Sequence, residues 1–277
     1  MNVLMAYPYL TPPALKFWRD NQDSIDMLVD SGAFTAWKSG NPIQLDDYCR
    51  FLDGLEMKPW RYFALDVIGD PAATEKNYET MLQRGFKPVP IFTRGESTSV
   101  IDDLYKTSDT IAVGGLVQTR QNKAFVNHVM KIINKRKVHL LGFCRQEYLL
   151  AHRPTSVDSS SWLSPAQFGR SYIYLGNLKY ETYTKEEARK RPPSKLACRI
   201  LRDKYKLDYR RFKDPMEWRN LGRQYDTMLT ILQAMQIYWY QQDMAKYGVK
   251  YFAATAGAGA LDMERLMKAK KHWEQSK

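Results

Sequence analysis

Residues 110–143 read TIAVGGLVQTRQNKAFVNHVMKIINKRKVHLLGF. The first seven, TIAVGGL, form a short apolar run that ends in a Gly-Gly pair. Residues 122–136 then repeat apolar positions at helical spacing, and residues 138–143, VHLLGF, return to a short apolar run. A run of this kind suits a strand covered on both faces, and a helix between two of them makes a βαβ unit of a parallel sheet.

The same rhythm extends outward in both directions. Apolar runs recur as VLMAYP at 3–8, MLVDSGAF at 27–34, YFALDVI at 62–68, PVPIFT at 88–93 and VKYFAAT at 249–255, and SVDSSSW at 156–162 has a strand-like beginning. Helical stretches lie between them at 44–55 and 73–85, the second opened by Asp70-Pro71 and closed by Gly85. No G-x-G-x-x-G follows the first run, so a dinucleotide-binding fold is not supported. About eight alternating units predict a TIM (β/α)8 barrel, with 1–277 as a single domain. From about residue 178 the pattern changes to a segment dense in Lys, Arg, Tyr and Trp. It is expected to be a basic helical insertion or extension over 178–226, with a long helix at about 216–246.

The formal net charge is +12 and the pI about 9.4, a balance that favours a polyanionic partner. Cys49, Cys144 and Cys198 are scattered, without C-x-x-C, and His128, His139, His152 and His272 lack metal-site spacing. The expectation is therefore no disulfide framework and no metal, with the histidines in surface or supporting roles. The amino-terminal stretch lacks a basic start followed by an apolar core, and no run of eighteen apolar residues occurs. A cytoplasmic protein with no membrane partner is expected.

In a barrel of this kind, chemistry sits at the carboxyl ends of the strands. Asp30-Ser31-Gly32, Asp66, Thr93-Arg94-Gly95, Gly114-Gly115 and Asp158 all fall at such ends. A lone aspartate there more often caps a helix than catalyses. Three that converge on one rim are a plausible set for exchange at a glycosidic carbon, which needs a carboxylate nucleophile and a group to handle the proton of the departing base.

The order of these motifs resembles the tRNA-guanine transglycosylase superfamily. Asp30-Ser31-Gly32-Ala33-Phe34-Thr35 resembles its D-S-G-G-[YF]-Q, and Leu65-Asp66 with Asp70-Pro71 resembles F-D-E-C-x-P. Val113-Gly114-Gly115-Leu116 is similar to L-G-G-L, and His139-Leu140-Leu141-Gly142-Phe143 to Y-L-M-G-V. Val157-Asp158-Ser159 stands where the family has F-D-C. The resemblance implies Asp158 as the nucleophile at C1′ and Asp30 as general acid/base. It implies Asp66 at the base edge, backbone contacts from Gly114, Gly115 and Leu116, Phe34 and Leu141 on the two faces of the base, and Ser31 and Gly142 among the substrate-binding residues. Two departures stand out. Phe92-Thr93-Arg94-Gly95 replaces V-Q-G-G, so Thr93 or Arg94 stands where a base-reading glutamine would be. The C-x-C-x-x-C zinc cluster is absent, as in the phage and bacterial branch that places 7-deazaguanines such as 7-cyano-7-deazaguanine in DNA.

That branch implies double-stranded DNA with a flipped target base and a free 7-deazaguanine as partners. It implies no cofactor, because one glycosidic bond is traded for another. The basic stretch, with Arg199, Arg202, Lys206, Arg210, Arg211, Arg219 and Arg223, is expected on the DNA backbone, its aromatics either wedging into DNA or packing internally. An enzyme acting on tRNA, a DNA glycosylase and a non-catalytic nucleic-acid-binding barrel remain open at this level. The oligomeric state and the inserted base are not set by the sequence.

Overall fold

A computed structural model describes residues 1–116, 122–163, 169–218, 227–255 and 259–275. At its centre is an eight-stranded sheet whose neighbours all run parallel. Seven of the strands follow in chain order: β1 (Asn2–Ala6), β2 (Asp26–Asp30), β3 (Arg61–Tyr62), β4 (Ile91–Phe92), β5 (Thr110–Val113), β6 (Lys137–Leu140) and β7 (Ser156–Ser159). The eighth, β10 (Lys250–Ala254), lies between β1 and β7, giving the order β3-β2-β1-β10-β7-β6-β5-β4. The sheet curls until its edges touch. Phe63 and Val89 form a parallel bridge, the Val89 N–H donates to the Tyr62 carbonyl at 2.8 Å, and the Ala64 N–H donates to the Val89 carbonyl at 2.9 Å.

Side chains alternate across this sheet, as strand geometry requires. Leu4, Leu28, Ile91, Ala112 and Phe252 pack together on the inner face. Their neighbours Val3, Met27, Val29, Ile111, Val113 and Ala253 belong to the larger core beneath the helices. β4 is short because Pro88 and Pro90 precede it and have no N–H to offer the ladder. The expected run at 27–34 likewise ends early, because α2 (Ala33–Ser39) begins at its last two residues. The helices expected at 44–55, 73–85 and 122–136 appear as α3 (Leu45–Asp53), α4 (Pro71–Gln83) and α6 (Asn122–Ile133). Asp70 caps α4 by accepting from the Ala73 N–H at 3.0 Å, with Pro71 in the first helical position.

The region expected to be helical is partly sheet. β8 (Arg170–Gly176) and β9 (Lys179–Thr184) form an antiparallel hairpin, turning through Asn177 and Leu178, both at positive φ. α8 (Lys185–Lys190) and α9 (Lys195–Asp203) follow, each started by a side-chain cap, from Thr184 and Ser194. Tyr205, Phe212 and Trp218 are buried with Ile173, Tyr183 and Leu201 in a second small core. They are packing residues, not wedges. The long helix is α10 (Met228–Ala245), shorter at its start than the expected 216–246, because Pro215–Trp218 form a 3-10 turn. Its first turns feed the small core through Met228, Leu229 and Leu232, and its later turns feed the main core through Ala234, Ile237 and Tyr240. Among the described residues no helix is long and apolar enough to cross a membrane.

Candidate functional site

Because the eight strands run parallel, their carboxyl ends share one rim. Alternation then decides which side chains point inward there. Asp30 stands two residues beyond Leu28, Thr93 two beyond Ile91, Gly114 two beyond Ala112, and Asp158 two beyond Ser156. Asp30 and Asp158 therefore come from separate strands to one end of the sheet, and Asp66, in the loop four residues past β3, stands near enough to Asp30 to act on its charge.

Asp158 is buried and firmly oriented. Its Oδ1 accepts from the Gly142 N–H at 2.8 Å and lies 3.1 Å from His139 Nε2. His139 is itself buried on β6, and its Nδ1 sits 2.8 Å from Ser156 Oγ. The Ser156 hydroxyl donating to Nδ1 leaves Nε2–H to donate to Asp158. Oδ2 makes no hydrogen bond among the described residues. The two hydrogen bonds thus hold one oxygen and fix the orientation of the carboxylate.

Asp30 accepts from the Gly32 N–H at 2.9 Å through Oδ2. Burial first, then the nearby Asp66 and to a smaller extent Asp158, together hold its carboxyl up at about 7, against the backbone hydrogen bonds from Gly32 and Ser31. Asp66 is also raised by burial, against the hydrogen bond that the Ser31 hydroxyl donates to it at 2.9 Å. Tyr48, fully buried below them, donates to the Phe63 carbonyl at 2.9 Å. Like charges in a poorly solvated rim cannot all ionise cheaply, so Asp30 holds its proton to neutral pH.

The glycine pair closes another side of the rim. Gly115 has φ +71°, and a Cβ there would lie 3.1 Å from Arg94 Cβ. A Cβ on Gly114 would lie 3.2 Å from Ile91 Cγ2, 3.7 Å from Thr93 Oγ1 and 3.8 Å from Leu141 Cδ1. Thr93, Arg94, Gly114, Gly115 and Leu141 are thus brought together. The Thr93 N–H donates to Glu96, and the Arg94 guanidinium stands 5.8 Å from the centre of the Phe125 ring. Leu116 is buried in the outer core.

Phe34 is half-buried on α2, with Lys38 Nζ 4.4 Å above its ring and Trp37 stacked at 6.0 Å. Trp37, but not Phe34, lines a cavity of about 250 Å3 with Asp66, Ile43 and Leu65.

Of the basic residues, Arg199, Arg202, Lys206 and Arg210 line one cleft of about 940 Å3 together with Lys195 and Tyr209. Arg211 does not line it. It pairs with the buried Glu217, whose other oxygen accepts from the Met228 N–H at 2.5 Å. Acids compensate this stretch more than its composition suggests, since Arg202 pairs with Asp203 and Arg210 with Asp208. Arg219 and Arg223 lie outside the described residues.

His139 and Ser156 are the contributors that sequence reasoning did not single out. Their signal is polarity at inward positions of two adjacent apolar strands, in phase with Asp158. Among the described residues no three His, Cys, Asp or Glu side chains come together in a way that could hold a metal ion. A scan of the chain against protein-family models finds no match, and a search of curated proteins finds none.

Proposed function

We propose that this chain is a TIM (β/α)8 barrel that exchanges guanine in DNA for a 7-deazaguanine through a covalent aspartyl-deoxyribose. The barrel reading is supported by register. Carried round the sheet from Trp60, the pairing passes Met27, Val3, Ala253, Ser159, Gly142, Gly115 and Arg94 and returns at Ile68, eight residues further on. That stagger is the shear of a (β/α)8 barrel.

One observation carries the chemistry: a carboxylate clamped through one oxygen, on the same rim as a carboxyl raised to about 7. Asp158 Oδ2 attacks C1′ from the face away from the base. The C1′–N9 bond breaks, its electron pair leaves with guanine, and Asp30 supplies the proton. The 7-deazaguanine then enters, and Asp30 takes the proton from its N9. N9 attacks C1′, the C1′–O bond breaks, and Asp158 is released as a carboxylate. Two inversions give retention. An acid that must give and then take a proton works best with a pKa near the working pH. The flat slot would lie between Phe34 and Leu141, with Asp66 and Ser31 on the base edge and the Gly114-Gly115 backbone beside it.

Labelled guanine or 7-cyano-7-deazaguanine, incubated with the protein and either DNA or tRNA, tests this. Label is expected in DNA, and Asp158→Ala should reduce incorporation about 10,000-fold and remove the protein–DNA adduct. Label in tRNA alone would assign the RNA substrate, abasic sites would assign a glycosylase, and no reaction with either would leave a binding protein.

A further inference from the structure

A second cavity, of about 370 Å3, opens at the same end of the sheet but on the other side of β7 from Asp158. Its walls come from three places. Trp162 follows β7, and Tyr172 and Tyr180 stand on the hairpin. Gln233, Gln236 and Tyr240 project from α10. None of the described residues lining it is Asp, Glu, Lys, Arg or His. A site with no charged wall selects a neutral ligand, and a wall of rings selects a flat one.

The polar groups in it are not fully used. Tyr240 is 4% exposed, and its hydroxyl makes no hydrogen bond among the described residues. That oxygen is not sealed in protein, so the cavity is where a partner must come from. Gln236 accepts from the Tyr174 N–H at 3.0 Å and donates to Gln233, which donates weakly to Ser171 at 3.5 Å. Each amide nitrogen carries two hydrogens, so each buried glutamine keeps one to offer. Tyr172 and Tyr180 are 39% and 42% exposed, so their rings form a wall that can be reached from solvent.

We infer that this cavity receives a nucleobase of the bound DNA strand, a near neighbour of the target, and so contributes to sequence context. This rests on the base-exchange reading for the identity of the strand. Position supports it. Tyr251, which also lines the cavity, pairs in register with Val157, next to Asp158. On its far side the cavity is walled by β8, which packs against α9, the helix that carries Lys195 and Arg199 into the basic cleft. A strand running from cleft to rim passes the tyrosine wall, where an unstacked base can lie on an aromatic face and offer its edge to the glutamines.

The test uses binding rather than turnover. An oligonucleotide with a single guanine is compared with the same strand made abasic at each neighbouring position in turn, on wild type, Tyr172→Ala and Tyr240→Phe. Wild type should lose about tenfold in affinity at one abasic position. Tyr172→Ala should bind the intact strand about tenfold more weakly and lose nothing further at that position. Tyr240→Phe, which removes only a hydroxyl, should lose a few-fold on the intact strand. An equal abasic penalty in wild type and Tyr172→Ala, or none in either, overturns the assignment. So does free guanosine competing at the tyrosine wall while abasic strands bind normally, because the ligand is then a free nucleoside. Absent exchange with the abasic pattern intact would instead sink the proposed reaction and leave the cavity's ligand standing.

Discussion

The His139 imidazole meets no ligand in the proposed reaction, yet it donates one of the two hydrogen bonds that aim Asp158. His139→Phe keeps a ring in the same space and removes the donor. Adduct formation should fall about 10- to 100-fold, the range for a hydrogen bond to a charged group, with DNA affinity unchanged. His139→Gln keeps a nitrogen donor at similar reach and should restore most of the rate. Equal losses in both variants would mark a packing role alone. Asp30 makes a pH prediction. Its carboxyl rises from 3.8 to about 7 on folding, so between those values the folded chain keeps a proton that the unfolded chain releases. Its contribution to stability is fullest below pH 3.8 and declines as pH rises towards 7. Asp30→Asn removes this decline. By urea denaturation, the variant should gain on the order of 2 kcal/mol relative to wild type between pH 4 and pH 8, allowing for solvent screening of a partly exposed group. A constant difference across that range would remove the case for a raised Asp30. Adduct formation should also weaken above pH 7, where the proton for departing guanine is lost.

Among the elements, the basic stretch divides into two kinds of cation. Lys195 and Arg199 on α9 are exposed on the wall of the cleft. Lys195→Glu with Arg199→Glu should weaken DNA binding for all sequences and flatten the salt dependence by about one unit per lost phosphate contact. Unchanged binding at every salt concentration would place the DNA elsewhere. Arg211 belongs to the fold, because Glu217 needs a positive partner while it holds the start of α10. Arg211→Glu should therefore cost about 2 kcal/mol or more in stability, seen as a lower urea midpoint, whatever it does to DNA. Charge counting could not separate the two kinds. Both read as cations in a basic run, and the difference lies in a glutamate six residues from Arg211 that is buried only after the small core forms.

At the scale of the whole molecule, α10 is a rod shared by two cores. Leu229 and Leu232 pack with the hairpin and α9, while Ile237 and Tyr240 pack in the main core between the eight-stranded sheet and its helices. Because one continuous helix packs in both cores, loss of either core removes packing from α10, so the chain should unfold as one unit. Leu229→Ala should lower stability by about 2–4 kcal/mol and move the whole calorimetric transition downward. A separate low-temperature transition would mean that the hairpin region is an independent domain.

Short apolar runs separated by helical stretches were enough to determine a parallel α/β sheet and the end of it where polar residues gather. Strand period does both, since it needs only local spacing. The positions of Asp30, Asp158 and Gly114-Gly115 at strand ends were legible for that reason, whereas the expected run at 62–68 is a strand only over Arg61–Tyr62 and leaves Asp66 in the loop beyond it. The hairpin at 170–184 was not, because its Lys, Tyr and Thr residues alternate without an apolar face strong enough to mark a strand. Nor was α11 (Gly259–Gln275), whose buried residues are mixed with lysines. Tertiary structure alone decided that β10 inserts between β1 and β7, that His139 faces Asp158 from the next strand, and that Asp66 stands close enough to Asp30 to help hold its proton. Each is a contact between residues distant in the chain. Such contacts depend on the curl and register of the whole sheet, which no local spacing encodes.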